Sequence, residues 1–452
     1  MNAALAGPMV RGVQSNNISA CVKHWIFNSQ ETERSGMSSN VAERVGRELY
    51  EAPYRAAVDA GTGYVMCSFN RINTTWSCAN DASLNEWLKK DLGFDGVVVS
   101  DWGAQHGTAD FALGGLDMEQ EWVKNATYFG ATLSAYVANG SVPLARLDDM
   151  ATRVVLPMYA LGYDAPSPPS AGPNATANST AHAALAHDLA AASIVLLKND
   201  GGILPLAPAT TQRIAVIGDY NNNGGGGSGA VVPPYVTTAL AALEAAFPRA
   251  AVTFFWGNVS AAARVVAAAD IAVVIVAVSG GEGSDRANLS LGCAPMAGPA
   301  SCRYWPDQDD LVAGVAAAQP QTVVVVRAPG AVLMPWLGSV KAVINQLYAG
   351  QEANAVLAAT LAGEVNPAGK LTISFPKSIN DTWLSYPAAS GPINPESWPG
   401  TDRGNGCAWR GRRRSAPRLA PFARRLCSTR PPAPHPPPPP PPSVHPIAQT
   451  SR

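Results

Sequence analysis

The residues best suited to chemistry follow an apolar run between positions 96 and 105, GVVVSDWGAQ. The run 97–99 has the β-branched composition of a buried parallel strand, and Asp101 comes shortly after it. A carboxylate just past the C-terminal end of such a strand lies where α/β barrels place catalytic groups. The indole of Trp102 adds a flat apolar face that suits a sugar ring. Taken alone, a strand followed by an aspartate helix cap also explains the pattern.

Two earlier strand-like segments end in polar or functional side chains as well. Lys23 and His24 end the first, in CVKHWIFNSQETER, and Met66 and Phe69 lie at the end of the second, in YVMCSFNRIN. We expect cation, imidazole and carboxylate to converge at the same ends of neighbouring strands. Lys and His can donate hydrogen bonds to sugar hydroxyls, and the carboxylate can attack an anomeric carbon. A purely structural Lys–His pair explains the first segment equally well.

A second carboxylate lies on a glycine-flanked loop, SGGEGSDRANLSLG, at the end of the apolar run 271–278. Glu282 on this loop is a candidate general acid whose pKa would rise on desolvation. The alternative is that Glu282 and Asp285 are solvated loop charges, with Asp285 in a local ion pair with Arg286.

A glycine-rich segment at 218–229, GDYNNNGGGGSG, follows another apolar run. It lacks a compact G-x-G-x-x-G that opens a helix, and no acidic residue closes the next strand, so a nucleotide site is not expected. A flexible loop in which Ser228 is available to a ligand fits better.

The order of segments predicts an α/β protein with two units. Strands and helices alternate over 1–162, and residues 163–181 form a linker rich in Pro, Ser and Asn. Residues 182–400 alternate at a spacing typical of a parallel, doubly wound sheet. The tail 401–452 has no apolar periodicity and is predicted to be disordered, with a polyproline ligand for SH3-like domains as the alternative.

In the first unit we predict strands over 19–25, 63–70 and 96–101, and helices over 39–60 and 83–92. In the second we predict strands over 214–217, 252–256, 271–278, 322–326 and 342–346, and helices over 237–246, 261–269, 308–318 and 352–361.

Composition excludes several classes of function. The chain has 452 residues, of which 47% are hydrophobic, enough for two or three buried cores. Residues 1–402 carry 22 basic and 33 acidic groups, a net charge of −11, so we expect no nucleic-acid partner. No stretch is long and apolar enough to span a membrane, and the alanine-rich segment 180–197 is better explained as a helix running into a strand.

Cysteines and sequons bear on the compartment. Cys67 with Cys78, and Cys293 with Cys302, could each close a small disulfide loop, or all four could be ordinary buried thiols, and Cys21 is expected to be a buried free thiol. No CxxC motif or His/Cys cluster predicts a metal site. The first residues lack the charged and apolar regions of a signal peptide. Nine glycosylation sequons nevertheless favour a secreted protein. They are centred on Asn17, Asn73, Asn125, Asn139, Asn174, Asn178, Asn258, Asn288 and Asn380.

Taken together, the motifs resemble glycoside hydrolase family 3 over residues 10–400. KHWIFNSQETER, YVMCSFNRIN, GFDGVVVSDWGAQ and GLDMEQ are similar to the second half of its catalytic barrel. ASIVLLKNDGGILPL, GGGSG, GEGSDRANLSLG and LYAGQEANAVLAATLAGEVNPAGKLTISFP are similar to its α/β-sandwich domain. The resemblance implies a (β/α)8-type barrel followed by a six-stranded sandwich, with the active site between them.

The resemblance also implies roles for individual residues. Asp101 matches the nucleophile and Glu282 the acid/base of a retaining enzyme, and Glu31 with Arg34 would support the acid/base loop. The residues that would line the terminal sugar subsite are Lys23, His24, Met66, Phe69, Trp102 and Ser228.

The implied function is hydrolysis of terminal β-D-glucosyl residues from β-glucosides or cello-oligosaccharides, with no cofactor. A β-xylosidase is an alternative, although that branch tends to carry cysteine where this chain has Trp102. Two departures from the family pattern matter. Phe69 stands where the family usually has tyrosine, and about 160 residues precede the linker, whereas a full barrel takes about 250. The sequence therefore predicts an incomplete barrel, and an inactive fragment or carbohydrate-binding remnant stays open as a further alternative. Oligomeric state is left open.

Overall fold

The computed structural model describes residues 2–121, 127–165, 179–218, 226–278, 280–283, 285–286, 288–292 and 307–381. Most of the expected linker, the segment between Cys293 and Cys302, and the tail 401–452 lie outside the described residues.

The N-terminal unit is organised on three parallel strands, which lie in the order β1 (Cys21–Trp25), β3 (Tyr64–Cys67) and β6 (Val97–Ser100). Lys23 of β1 is in register with Met66 of β3, and Met66 is in register with Val99 of β6. Val99 also forms a parallel bridge to Met118. The three strands predicted in this unit are confirmed, and each is shorter than predicted. The strands of the unit are β1 (Cys21–Trp25), β2 (Ser38–Ser39), β3 (Tyr64–Cys67), β4 (Arg71–Ile72), β5 (Thr75–Trp76) and β6 (Val97–Ser100).

Helices pack against this sheet. The predicted helix over 39–60 begins too early, because Ser38 and Ser39 pair with Arg71 and Ile72 as strand β2. Leu84 and Leu88, from the helical segment predicted over 83–92, are fully buried in the same core as Val98. The α-helices are α1 (Asn2–Gln14), α2 (Glu43–Val45), α3 (Ala52–Asp59), α4 (Ala109–Leu113), α5 (Ala131–Ala138) and α6 (Leu144–Ala160), with π-helical turns at Gly46–Tyr50 and Ala82–Asp91 and a 3-10 turn at Ser77–Ala79.

A disulfide joins Cys67, the last residue of β3, to Cys78. This confirms one of the two small loops expected from the cysteine spacing, and it fixes the segment that follows β3. Cys21 is a free cysteine, as predicted, but it is exposed rather than buried, because β1 is the edge strand of the sheet.

The second unit has six strands: β7 (Val195–Asn199), β8 (Arg213–Gly218), β9 (Ala251–Phe255), β10 (Ile271–Ala277), β11 (Thr322–Arg327) and β12 (Ala342–Asn345). They form one sheet in the order β7-β12-β11-β10-β8-β9. The five predicted strands, β8 to β12, are present and parallel to one another. The prediction of a wholly parallel sheet is wrong at one edge, because β7 pairs antiparallel with β12.

The antiparallel edge follows from how the chain enters the sheet. Helix α7 (Thr180–Ser193) is separated from β7 by Ile194 alone, so the predicted helix-into-strand segment is confirmed. At the far end of β7, the amide of Asp200 donates to the carbonyl of Lys341, just before β12 begins. β7 therefore ends beside the start of β12.

Apolar layers cover both faces of this sheet. All seven residues of β10 are buried, and alternate residues contribute to two separate apolar clusters. Three of the predicted helices begin at N-cap residues whose side chains accept a hydrogen bond from a backbone amide in the first turn. These residues are Thr238, Asn258 and Asp307. The remaining helices are α8 (Ala239–Ala246), α9 (Val259–Val266), α10 (Gln308–Ala318) and α11 (Ala353–Ala362), with 3-10 turns at Asp200–Gly202, Leu337–Ser339, Gly350–Glu352 and Ile379–Asp381.

Within the described ranges, no helix combines the length and apolar character needed to cross a membrane. The same ranges contain no group of three or more His, Cys, Asp or Glu side chains arranged to hold a metal ion.

Candidate active site

Asp101 lies directly after β6 and is 5% exposed. Its Oδ1 accepts a hydrogen bond from the backbone amide of Trp102 at 2.8 Å, and its Oδ2 lies 3.1 Å from Nε2 of His24. The hydroxyl of Tyr54 donates to the backbone carbonyl of His24, and its ring packs edge-on against Trp25. Both carboxylate oxygens of Asp101 are thus oriented by neighbours that the fold itself holds in place.

The other predicted subsite residues of this unit differ in exposure. Trp102 is 46% exposed, so its indole can meet a ligand. Lys23 is also exposed, on the edge strand. Met66 is 6% exposed and packs against Val97 and Val99, so its side chain belongs to the apolar packing of the sheet and offers little surface to a ligand.

Glu282 lies on the loop that follows β10. Its Oε2 accepts the backbone amide of Ser228 at 2.7 Å, and its Oε1 accepts Nη2 of Arg34 at 3.0 Å. Gly227 has φ +98°, and a Cβ there would come within 2.4 Å of the Glu282 Cβ, so this close approach requires glycine. The structure therefore brings the predicted acid/base and the predicted Ser228 into contact.

Arg34 joins the two units. Its Nη1 donates to Glu31 Oε2 at 2.9 Å, and the amide of Gly283 donates to the same oxygen at 2.8 Å. The guanidinium stacks 4.5 Å above the ring of Phe69. Phe69 thus contributes an aromatic face to the cation that holds Glu282, and the predicted support of the loop by Glu31 and Arg34 is seen in these contacts.

These contacts set the charge state of Glu282 in this arrangement. The backbone amide of Ser228, then its hydroxyl, then the Arg34 guanidinium hold the pKa of Glu282 at about 2, against a small opposing effect of desolvation. The rise in pKa expected from the sequence is therefore wrong for this arrangement, because the carboxylate is hydrogen-bonded and one-third exposed rather than desolvated.

Asp285 has a partner that its sequence neighbours do not suggest. Its carboxylate accepts the backbone amides of Glu31 at 3.1 Å and Thr32 at 2.8 Å. Arg286 instead donates to the carbonyl of Ala331 at 2.6 Å. The local Asp285–Arg286 ion pair considered from the sequence is therefore not what the structure has.

A cleft of about 530 Å³ opens beside these contacts. It is lined by Glu31, Glu33, Arg34, Ser35, Gly36 and Gly283, so both units contribute to its wall. The site as a whole places two carboxylates, Asp101 and Glu282, on separate units that Arg34 and Asp285 tie together.

Comparison with known families decides what this arrangement belongs to. Residues 1–156 match the glycosyl hydrolase family 3 N terminal domain, and residues 194–402 match the glycosyl hydrolase family 3 C-terminal domain. The chain belongs to glycoside hydrolase family 3. The resemblance stated from the motifs is confirmed, with both family domains in the expected order.

Individual relatives agree with the family. A probable β-glucosidase L of Aspergillus fumigatus is 36% identical over 411 residues, covering 83% of this chain and 55% of the relative. A probable β-glucosidase F of Neosartorya fischeri is 33% identical over 434 residues, covering 84% and 49%. The chain spans about half the length of these curated relatives.

Solved structures of the family share the fold. A β-D-glucoside glucohydrolase from Trichoderma reesei superposes with a TM-score of 0.76 at 33% identity, over 84% of this chain and 56% of that one. DesR, a β-glucosidase from Streptomyces venezuelae solved with D-glucose, gives 0.75 at 27% identity, over 82% and 62%. The α/β architecture of this chain is therefore that of family 3 β-glucosidase structures.

Proposed function

We propose that the chain carries the catalytic centre of a retaining, exo-acting β-glucosidase. Its substrates would be β-glucosides or cello-oligosaccharides, from which it removes the terminal non-reducing glucosyl residue. The observation that carries this proposal is a pair of carboxylates on two units: Asp101 of the N-terminal unit beside His24, and Glu282 of the second unit bound by Arg34 of the first. The matching relatives, named as β-glucosidases, support the glucoside over the alternative β-xyloside.

The two carboxylates suit double displacement. An oxygen of Asp101 attacks the anomeric carbon while the bond from that carbon to the glycosidic oxygen breaks, and Glu282 gives its proton to the departing oxygen. Glu282 then takes a proton from water, and the resulting hydroxide oxygen displaces Asp101 from the anomeric carbon. His24, beside Asp101, is placed to donate to a sugar hydroxyl or to the carboxylate that is released.

Glu282 must change partners during this cycle. A carboxylate with a pKa of about 2 is ionised throughout the neutral range and cannot donate a proton. Substrate in the cleft would separate Glu282 from Arg34 and from the Ser228 amide, which removes the groups that favour the ionised form. The acid form is therefore a property of the loaded site.

We also propose that the N-terminal sheet is part of an incomplete (β/α)8-type barrel. Its three parallel strands, with the parallel bridge from Val99 to Met118, form an open arc in the described residues. This same openness favours one alternative, a carbohydrate-binding remnant that retains the sugar site without turnover. Lys23 on the exposed edge strand would bind in either case.

Labelling of the nucleophile tests the catalytic proposal. A 2-deoxy-2-fluoro β-glucoside with a good leaving group should form a stable glycosyl ester, and peptide mapping should locate it on Asp101. An Asp101→Asn protein treated in parallel is the control and should stay unlabelled. An ester on Glu31 or Glu119 would overturn the assignment, and sugar binding without any ester would favour the remnant. A fluoro-xyloside used alongside separates the two sugar preferences.

We propose, finally, that the protein is secreted and glycosylated. Six of the nine sequon asparagines lie in the described part of the chain, and all six are exposed. After expression through a eukaryotic secretory pathway, enzymatic deglycosylation in heavy-oxygen water should mark these sites by mass spectrometry. A secreted protein with none of them marked would count against the proposal. The six are Asn17, Asn73, Asn139, Asn258, Asn288 and Asn380.

A further inference from the structure

The loop that carries Glu282 is tied to the N-terminal unit by reciprocal hydrogen bonds. Asp285 accepts the backbone amides of Glu31 and Thr32, and Glu31 in turn accepts the backbone amide of Gly283. These contacts join residues 252–254 positions apart in the chain. Each segment therefore uses a carboxylate to hold the main chain of the other.

Asp285 is ionised in this arrangement. Desolvation by burial tends to raise its pKa, but the hydroxyl and amide of Thr32 and the amide of Glu31 outweigh that effect and lower it. Hydrogen bonds from amides to an ionised carboxylate are shorter and stronger than those between neutral groups. The contact therefore joins an ionised carboxylate to two backbone amides, at 2.8–3.1 Å.

Two of the contacts that hold the loop differ in what the reaction does to them. The contact between Glu282 and Arg34 involves the reacting carboxylate itself, so it weakens when Glu282 becomes protonated. The contact made by Asp285 leaves the reacting carboxylate untouched and persists in both protonation states. Gly281 and Gly283, the latter at φ +91°, flank Glu282 and restrict the main chain little.

We propose that Asp285 is the positioning residue that keeps the acid/base loop in place when Glu282 releases Arg34. This role rests on the proposed function of Glu282. Without Asp285, Glu282 would still ionise and pair with Arg34 in the empty site. In the loaded site, however, the proton would no longer be presented to the glycosidic oxygen at a fixed position.

The chain offers a matched control. Asp270 also accepts two backbone amides, those of Gln212 at 3.2 Å and Arg213 at 2.9 Å. It holds the N-terminal end of β8, whereas the acid/base loop follows the C-terminal end of β10. Asp270→Asn therefore makes the same change of side chain in the same unit, at the opposite end of neighbouring strands.

The decisive activity measurement compares leaving groups. Departure of 2,4-dinitrophenolate needs no proton, whereas departure of an alkoxide does, and general acid catalysis contributes about 10²–10⁴-fold. In Asp285→Asn and Asp285→Ala, we expect kcat/KM for methyl β-glucoside or cellobiose to fall about tenfold or more, and kcat/KM for the dinitrophenyl glucoside to change less than about threefold. Asp270→Asn should change neither. An equal fall for both substrates, or a fall for neither, would overturn the positioning role.

A second measurement does not depend on activity. Hydrogen exchange followed by mass spectrometry should show faster exchange at Glu31 and Thr32 in Asp285→Ala, and at 212–213 in Asp270→Ala. Unchanged exchange at Glu31 and Thr32 would show that the contact does not form. A wild-type protein that exchanges slowly there but hydrolyses no glucoside would refute the proposed function and the positioning role, while leaving the contact itself established.

Discussion

The two sheets of this protein differ in what surrounds them. Every residue of β10 in the second unit is buried, with apolar side chains on both faces, whereas in β1 of the N-terminal unit only Trp25 is buried. The second sheet is stabilised mainly by apolar area removed from water. The N-terminal sheet also has a wholly buried strand, β6, and it adds directed polar contacts at its strand ends, such as the pair of His24 with Asp101.

A buried charge cluster illustrates the N-terminal pattern. The side chain of Asp117 is fully buried. Its carboxylate accepts hydrogen bonds from Lys89 Nζ at 2.8 Å, from Arg146 Nη2 at 2.7 Å and from the amide of Val98 at 2.9 Å. It therefore connects β6 to two helical segments through polar contacts alone. Removing such a partner leaves charges buried without compensation, so a single polar change here should cost at least as much as an apolar truncation in the second unit.

The largest expected effect is that of Asp117→Asn. Loss of the carboxylate leaves Lys89 and Arg146 short of their counter-charge, and breaking a buried pair costs about 3–5 kcal/mol. Hydrogen exchange should become faster across β6 and the 82–91 helix, while β10 keeps its protection. The matched control is Asp149→Asn, which also removes a partner of Arg146 but at a site 43% exposed, and should cost about 1 kcal/mol or less. Equal effects of the two changes would break the comparison.

Leu361→Ala tests the apolar side of the comparison. Leu361 is fully buried in the core between α11 and the second sheet, and such a truncation costs about 2–5 kcal/mol. Leu189→Ala, on a helix of the same unit but 63% exposed, should cost about 0.5 kcal/mol or less. Chemical denaturation followed by exchange in β10 and β11 measures both. A cost for Leu361→Ala as small as that for Leu189→Ala would show that the second core does not depend on close packing.

Lys89 should make the stability of the N-terminal unit depend on pH. Desolvation lowers the pKa of Lys89 to about 8 from 10.5, although Asp117 favours its charged form. Between these values the unfolded chain binds the proton that the folded chain has lost, so the contribution of Lys89 to the free energy of unfolding rises with pH. Urea titrations from pH 8 to 10 should show this rise, and Lys89→Met should remove it. Lys90→Met, on the exposed side of the same helix, should keep it, and identical slopes in all three proteins would contradict the prediction.

The smallest expected effect lies where the two units meet. Phe69→Leu removes the ring under Arg34, a cation–π contact worth about 0.5–1 kcal/mol, so kcat/KM on an aryl β-glucoside should fall about two- to fivefold. Phe69→Tyr keeps the ring and tests the hydroxyl that the family usually has at this position. A hydrogen bond to a charged group contributes about 1.5–3 kcal/mol, so a gain of about tenfold or more would mean that the hydroxyl reaches the nucleophile or the sugar. No fall for Leu would mean that Arg34 is held by Glu31 and Glu282 alone.

The sequence by itself determined the elements and the identity of the candidate groups. Apolar β-branched runs located the strands, and helix α10 has the predicted bounds, because both patterns depend only on nearby residues. The position of Asp101 after β6 and the Cys67–Cys78 pairing were also readable from local spacing. The glycine-flanked loop makes Glu282 a candidate, and its assignment as the acid/base rests on the family resemblance.

Only the tertiary structure decided how these groups are held. The antiparallel edge strand β7, the pairing of His24 with Asp101, and the ring of Phe69 under Arg34 depend on segments far apart in the chain. The contact of Asp285 with Glu31 and Thr32 is the clearest case, because the hydrogen-bond donors are backbone amides, which every residue except proline carries. The residue types at 31 and 32 therefore do not predict the contact with Asp285, and it can be identified only from the tertiary structure.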